Sequence, residues 1–171
     1  MIIRNNASRQ RALCSPNHTN KEQECAMRVV LADDHPIVLG GLRVLLQAEP
    51  GVEIVAAVPD GATALAMIRA HEPEIAVLDI TMPQLTGLDV LEAVEADGLA
   101  TRVVLLTGSA SDEQIMHAVE RGAWGLLLKE SALDTLMECL KTVAAGQRWL
   151  PRELVAPAVR RATEVVPHGV V

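Results

Sequence analysis

Asp33 and Asp34 follow the aliphatic run RVVLA, Asp79 follows EIAVL, Thr107 follows RVVLL and Lys129 follows GLLL. Three carboxylates, a hydroxyl and an ammonium thus stand directly after short apolar runs, far apart in the chain. Brought together, three carboxylates repel one another and raise each other's pKa unless a cation sits among them. A hard divalent ion with oxygen ligands meets that need, and Mg²⁺ suits a site with few protein ligands and several waters. Lys129 adds a fixed positive charge and Thr107 a hydroxyl donor. Positive groups and a metal around one carboxylate are what phosphoryl transfer onto that carboxylate requires. The chemistry would be attack by an Asp oxygen on phosphorus, giving an acyl phosphate.

The elements that must position these groups are legible in the texture of the chain from Met27 onward. Aliphatic runs at Arg28–Ala32, Val52–Val58, Glu74–Leu78, Arg102–Leu106 and Gly125–Leu128 are apolar at consecutive positions, as strands covered on both faces should be. Between them, apolar residues recur every three or four positions: Ile37, Leu42, Leu45 and Leu46; Leu65 and Ile68; Leu88, Leu91 and Val94; Ile115 and Val119; Leu133, Leu136, Met137 and Leu140. Pro36 suits a helix's first turn, Ser111 and Ser131 read as N-caps, and Gly98, Gly122 and Gly146 as stops. Five strands alternating with five helices specify an α/β fold, a doubly wound five-stranded parallel sheet with helices on both faces. Such sheets bind ligands beyond the carboxyl ends of their strands, so the residues after each strand converge on one rim.

Composition bounds what that rim can serve. The 171 residues carry 15 basic and 22 acidic side chains, a net charge of −7, which opposes binding of a phosphate backbone by the chain as a whole. There is no Phe and no Tyr; Trp124 and Trp149 are the only aromatics, too few to stack single-stranded nucleic acid. The core must be aliphatic. Charged residues interrupt every apolar stretch before a membrane span is reached, and the first 20 residues lack the apolar segment of a secretory signal. Three cysteines without repeated spacing favour a reducing cytoplasm over a disulfide framework. Cys14, His18 and Cys25 match no zinc spacing and lack a fourth ligand. No G-x-G-x-x-G follows the first strand, which disfavours a dinucleotide site. The residue two after Asp79 is Thr81 where a haloacid-dehalogenase phosphatase would carry an acid.

With those residues in order, the sequence resembles the response-regulator receiver domains of bacterial two-component signalling, which have a flavodoxin-like fold, and within them the NarL/FixJ (LuxR-type) branch. The stretches that carry the resemblance are RVVLADDHPIVLGGLRVLL from Arg28, AVLDITMPQLTGLDVL from Ala76, RVVLLTGSAS from Arg102 and GAWGLLLKES from Gly122. It implies Asp79 as phosphoacceptor and Asp33 and Asp34 as the acidic pair holding Mg²⁺, Asp34 more directly. Asp79 itself and the Thr81 main-chain carbonyl would complete the metal's protein ligands. The resemblance further implies that Thr107 bonds the phosphoryl group, that Lys129 pairs with it, and that Ser109 tunes its hydrolysis. His35 reads as a loop residue following the acidic pair.

Two departures qualify the resemblance. The family's usual aromatic three residues before the lysine is replaced by Leu126, so the switch that couples Thr107 to the outer face is in question; Trp124 is a candidate substitute or an exposed contact on the face of the fourth helix, fifth strand and fifth helix. The second departure is the C-terminus, where the branch continues into a helix-turn-helix domain. Residues 1–26 therefore read as an extension that is disordered or precedes a start at Met27, 27–148 as the receiver domain, and 149–171 as a linker-like tail or short helix broken by Pro151, Pro157 and Pro167, with no helix-turn-helix domain. The start GQRWLPREL favours a receiver from a longer regulator. Expected partners are a sensor histidine kinase and a second copy in a homodimer, with DNA reached only through a domain outside this chain and no membrane contact. A receiver that is not phosphorylated and works as a docking or dimerisation module is the alternative.

Overall fold

The computed structural model describes residues 26–164. Five strands, β1 (Met27–Ala32), β2 (Val52–Val58), β3 (Ile75–Asp79), β4 (Arg102–Thr107) and β5 (Gly125–Leu128), form one parallel sheet in the order β2-β1-β3-β4-β5. The helices are α1 (Pro36–Gln47), α2 (Gly61–His71), α3 (Gly87–Ala96), α4 (Asp112–Glu120), α5 (Lys129–Ala144) and α6 (Arg152–Glu164). The doubly wound architecture expected from the sequence is the one observed.

Alternation along each strand feeds two cores. Val29, Leu31, Ile75, Val77, Val104, Leu106 and Leu127 face α1 and α5; Val30, Ala32, Ala76, Leu78, Val103, Leu105 and Leu126 face α2, α3 and α4. That double burial is why the strands carry no polar alternation. Each strand-to-helix turn lies at the sheet's carboxyl rim. Local chemistry fixes the turns. Thr86 and Asp89 form a reciprocal capping box at α3, and Ser111 and Gln114 another at α4. The Asp60 carboxylate accepts the Thr63 N–H and the Thr63 hydroxyl at α2, and these bonds hold its pKa below the usual value.

Three local expectations are revised. Ser131 does not cap α5: that helix starts at Lys129 directly from β5, and Ser131 Oγ bonds the Leu128 carbonyl instead. Ile37 is not on the buried face of α1 but 90% exposed; in that first turn it is Val38 and Leu39 that pack against the core. Pro157 does not end a helix; it lies inside α6, a 13-residue helix. Proline there removes one helical hydrogen bond. Packing offsets the loss: Leu154, Val155 and the fully buried Ala158 join the core beside α4 and Leu126.

The path into α6 is fixed by strand-like pairing. Trp149 bridges Gly125 at the edge of the sheet, donating its N–H to the Trp124 carbonyl and accepting from the Leu126 N–H. An ion pair between Arg161 and Asp112 ties α6 to the first turn of α4. Arg161 is 68% exposed, so this pair contributes little, of order 0–1 kcal/mol. The buried contact should dominate. Arg161→Ala is expected to leave the urea midpoint nearly unchanged, whereas Ala158→Asp, which buries an unpaired charge, should lower stability by about 2 kcal/mol or more. Equal effects of the two changes would refute that ranking.

Candidate functional site

The carboxyl rim gathers the predicted groups from four strands. Asp33 and Asp34 follow β1, Asp79 is the last residue of β3, Thr107 the last of β4, and Lys129 the first residue after β5. The ammonium of Lys129 is the hub: Nζ lies 2.8 Å from Asp79 Oδ2 and 3.0 Å from Asp33 Oδ1, donating to both. Asp79 Oδ1 accepts the Thr81 N–H at 3.2 Å. Both of Asp79's oxygens are therefore oriented, one by a charge and one by a main-chain dipole.

Burial sets the electrostatics. The side chains of Asp33 and Asp79 are 0% and 4% exposed, against 34% for Asp34. Desolvation raises the Asp79 pKa above the usual carboxylate value; Asp33's charge adds to the rise, while Lys129 and the Thr81 N–H oppose it. Desolvation alone would lower Lys129, but its bonds to Asp79 and Asp33 outweigh that and hold its pKa above the ordinary value. Thr107 is buried at the same rim and Ser109 exposed just beyond it.

The loop that follows Asp79 is held by backbone. Gly87 N–H donates to the Ile80 carbonyl at 2.9 Å. A Cβ on Gly87 would stand 2.4 Å from the Asp79 carbonyl oxygen, and one on Gly61 would stand 2.0 Å from that of Leu85. The loop 80–86 is thus seated against α2 on one side and against its own strand on the other.

The donor set fits a divalent cation. One ligand atom from each of Asp33, Asp34, His35 and Asp79 can be chosen so that all lie within 4.8 Å of one another. Asp33 Oδ2 is buried and accepts no hydrogen bond; Lys129 Nζ lies 2.9 Å away but outside hydrogen-bonding geometry. Formal charges of three carboxylates and one ammonium leave the rim at −2, which a divalent ion would neutralise. His35, read from the sequence as a loop residue, lies at the rim. Its Nδ1 lies 2.9 Å from Asp34 Oδ1, 3.0 Å from Asp33 Oδ1 and 3.0 Å from Lys129 Nζ. Its position directly after the acidic pair was the available signal.

Two candidate residues lie elsewhere. Trp124 sits beside the start of β5, at the opposite end of the strand from Lys129. Its half-buried ring is stacked under Arg102 at 4.7 Å, with Arg148 at 5.8 Å. Leu126 is fully buried between the sheet, α4 and α6. Cys14, His18 and Cys25 lie outside the described residues. Among the described residues no helix is long and apolar enough to cross a membrane.

Comparison with known proteins gives a consistent picture. Residues 29–141 match the response regulator receiver domain family. The nitrate/nitrite response regulator protein NarP of Escherichia coli is 35% identical over 121 residues, covering 71% of this chain and 56% of that protein. The signal receiver domain of the response regulator NarL from Mycobacterium tuberculosis superposes with a TM-score of 0.68 at 36% identity, over 71% of this chain and 98% of that one. A LuxR-family two-component response regulator from Aurantimonas superposes with a TM-score of 0.71 at 29% identity, over 81% of this chain and 99% of that one. The chain spans little more than half the length of the first curated relatives it matches.

Proposed function

Since this chain belongs to the response-regulator receiver family, in its NarL/LuxR-type branch, we propose that Asp79 is its phosphoacceptor and that a sensor histidine kinase is the donor. The observation that carries the assignment is the Asp79 carboxylate, held at the carboxyl rim by Lys129 Nζ at 2.8 Å on Oδ2 and by the Thr81 N–H on Oδ1.

In the reaction an Asp79 oxygen attacks the phosphorus of a phosphohistidine. The P–O bond forms as the P–N bond breaks, and the bonding pair leaves with the imidazole nitrogen, which takes a proton from solvent or its own protein. The product is an acyl phosphate. Lys129 balances the charge at the acceptor and then pairs with the phosphoryl oxygens. Thr107, whose hydroxyl ends the neighbouring strand, donates to the same group. Asp33, Asp34, Asp79 and the Thr81 carbonyl are the residues that would hold Mg²⁺, which when bound supplies positive charge where the phosphoryl oxygens gather negative charge. Ser109, exposed beside Thr107, is placed to influence the water that resets the switch.

The added charge biases a two-state equilibrium in the loops after β3 and β4. Leu126 occupies the position of the family's swinging aromatic, so the coupling in this chain runs through aliphatic packing of Leu126 against α4 and α6 rather than through a ring. The receiver unit in this reading is residues 27–148, preceded by an extension over 1–26, with the output passing through α6 to altered pairing of two copies or to a linked domain. Control of transcription through DNA is assigned to the portion of longer relatives that this chain does not span. We place the protein in the cytoplasm, in keeping with the free, buried thiol of Cys139, whose pKa burial pushes up to about 12. Leu126 also favours a second reading, a receiver that docks without being phosphorylated; the complete acceptor rim favours the first.

Intact mass after incubation with acetyl phosphate separates them. The expected result is a gain of one phosphoryl group with Mg²⁺ and none with EDTA. A folded protein that gains nothing at saturating Mg²⁺ would leave the docking module as the function.

A further inference from the structure

We propose that the solvent-facing side of α1, together with the adjoining turn of α5, is where a second copy of this chain packs to form a two-fold pair. The surface serves the pairing of copies already placed downstream of the rim, so the assignment rests on that output and not on the phosphoacceptor chemistry.

Three observations carry it. The first is where apolar side chains meet water. Among the described residues the exposed large hydrophobics are Ile37 at 90%, Val44 at 70%, Leu133 at 54% and Val159 at 40%. Ile37, Gly41 and Val44 are spaced i, i+4, i+7 and so share one stripe of α1. Leu133 of α5 borders that stripe, since a Cβ on Gly41 would stand 3.6 Å from its Cδ2. Three of the four therefore gather around Gly41, while Val159 lies apart on α6. A scattered exposed aliphatic needs no partner, whereas adjoining ones mark a contact surface. The second observation concerns the opposite side of the sheet. There α6 lies over α4, with Ala158 fully buried and Leu154 and Val155 packed in the core that holds Leu126. A copy arriving at α4 would have to displace α6; at α1 it meets an open face.

The third observation is charge, and it selects a second copy over a foreign protein. Arg43 is the single charged residue of α1 and is exposed. Glu130 and Asp134, one turn apart on α5, are exposed acids that flank Leu133 in the sequence. Among the described residues none of these three takes part in an ion pair. Each copy thus carries both halves of a complementary pattern, as a two-fold interface requires. Setting α1 of one copy against α5 of the other brings unlike charges together, with the aliphatic side chains between them. A foreign partner would need only one half.

Sedimentation velocity of the full chain, with acetyl phosphate and Mg²⁺ and without them, measures the pairing. The expected result is a monomer–dimer equilibrium in at least one of the two conditions. Val44→Glu should weaken it by about tenfold or more, because it sets an unpaired carboxylate in the apolar contact. Val159→Glu on α6 should leave it unchanged. Arg43→Glu should weaken it too, and Glu130→Arg with Asp134→Arg in the same chain should restore it. All the replaced side chains are exposed, so circular dichroism should show every variant folded. A wild type that stays monomeric at millimolar concentration in both conditions overturns the proposal and gives the patch to a different protein. A dimer that survives Val44→Glu, or that Val159→Glu breaks equally, overturns it as well. Failure of the reversed charges to restore pairing overturns the packing of α1 against α5. Intact mass of the same samples keeps the two readings apart. A monomer that gains a phosphoryl group loses the pairing surface and keeps Asp79 as acceptor; a dimer sensitive to Val44→Glu that gains none does the reverse.

Discussion

Asp79→Asn is expected to take up no phosphoryl group from acetyl phosphate and Mg²⁺, and to melt at a higher temperature than the wild type at neutral pH. The first result follows from chemistry, since an amide oxygen is too weak a nucleophile to form the acyl phosphate. The second follows from the raised pKa of Asp79 in the folded protein, whose main cause is burial. A carboxyl with a raised folded-state pKa favours folding at low pH. That contribution is fully present below the unfolded pKa and is lost as the pH rises through the folded pKa. At neutral pH the wild type therefore carries a desolvated charge that Asn does not, while Lys129 keeps Asp33 as a partner at 3.0 Å. Melting curves across pH check the sign: the advantage of Asn should be greatest near neutrality and shrink into the ordinary carboxylate range, where wild-type Asp79 is already protonated. Phosphorylation of the variant at the wild-type rate would remove Asp79 from its role. A lower melting point at neutral pH would show that the Lys129 pair outweighs desolvation.

Gly87→Ala and Gly61→Ala are expected to destabilise the fold more than any ordinary surface change, by about 3 kcal/mol or more, the upper end of what overpacking costs. The obstacles are backbone atoms. At Gly87 the new methyl would stand 2.4 Å from the Asp79 carbonyl oxygen and 3.1 Å from the Ile80 Cα. At Gly61 it would stand 2.0 Å from the Leu85 carbonyl oxygen and 2.7 Å from its carbon. Neither neighbour has a rotamer with which to withdraw, so loop 80–86 must move. Movement at Gly87 also disturbs the peptide that carries the phosphoacceptor. Gly40→Ala is the counterpart: a Cβ there meets nothing within 4 Å, and the residue lies inside α1. It should stabilise the protein by about 0.5–1 kcal/mol through helix propensity. Urea unfolding of the three variants tests the contrast, which fails if all three shift the midpoint alike.

The opposite legibility of Lys129 and Pro157 shows what a sequence can carry. Lys129 could be assigned to the rim because β5 is apolar on both faces, so its limits are visible, and parallel topology sends whatever follows it to the same edge as Asp33 and Asp79. The same logic placed Thr107. Pro157 is a local signal for a break, and the local signal loses: α6 persists because Leu154, Val155 and Ala158 find an apolar surface on α4, a partner no neighbouring residue announces. His35 fell between these cases. Its type and position were visible, but an exposed histidine after two acids has no diagnostic spacing, and only the approach of Lys129 across 94 residues of sequence shows what its ring faces. The glycine seats are likewise invisible to pattern, since Gly61 and Leu85 meet through tertiary packing alone. Ser131 shows the reverse error, a plausible cap made redundant when the helix starts straight from the strand.

The two indoles give the protein an unusual optical signature. With no tyrosine and no phenylalanine in the chain, near-ultraviolet absorption and emission belong to Trp124 and Trp149 alone, and their backbones are joined where the latter bridges the edge of the sheet. Their main chains meet at the start of β5, the end of that strand away from the carboxylates, while Trp149 also borders Leu128 and Ser131. Neither residue belongs to the rim itself, so emission reports metal or phosphoryl binding there only indirectly. What the light does report is the seam where the polypeptide leaves the sheet for α6. A spectral change on activation would therefore mark a signal that has already crossed the molecule.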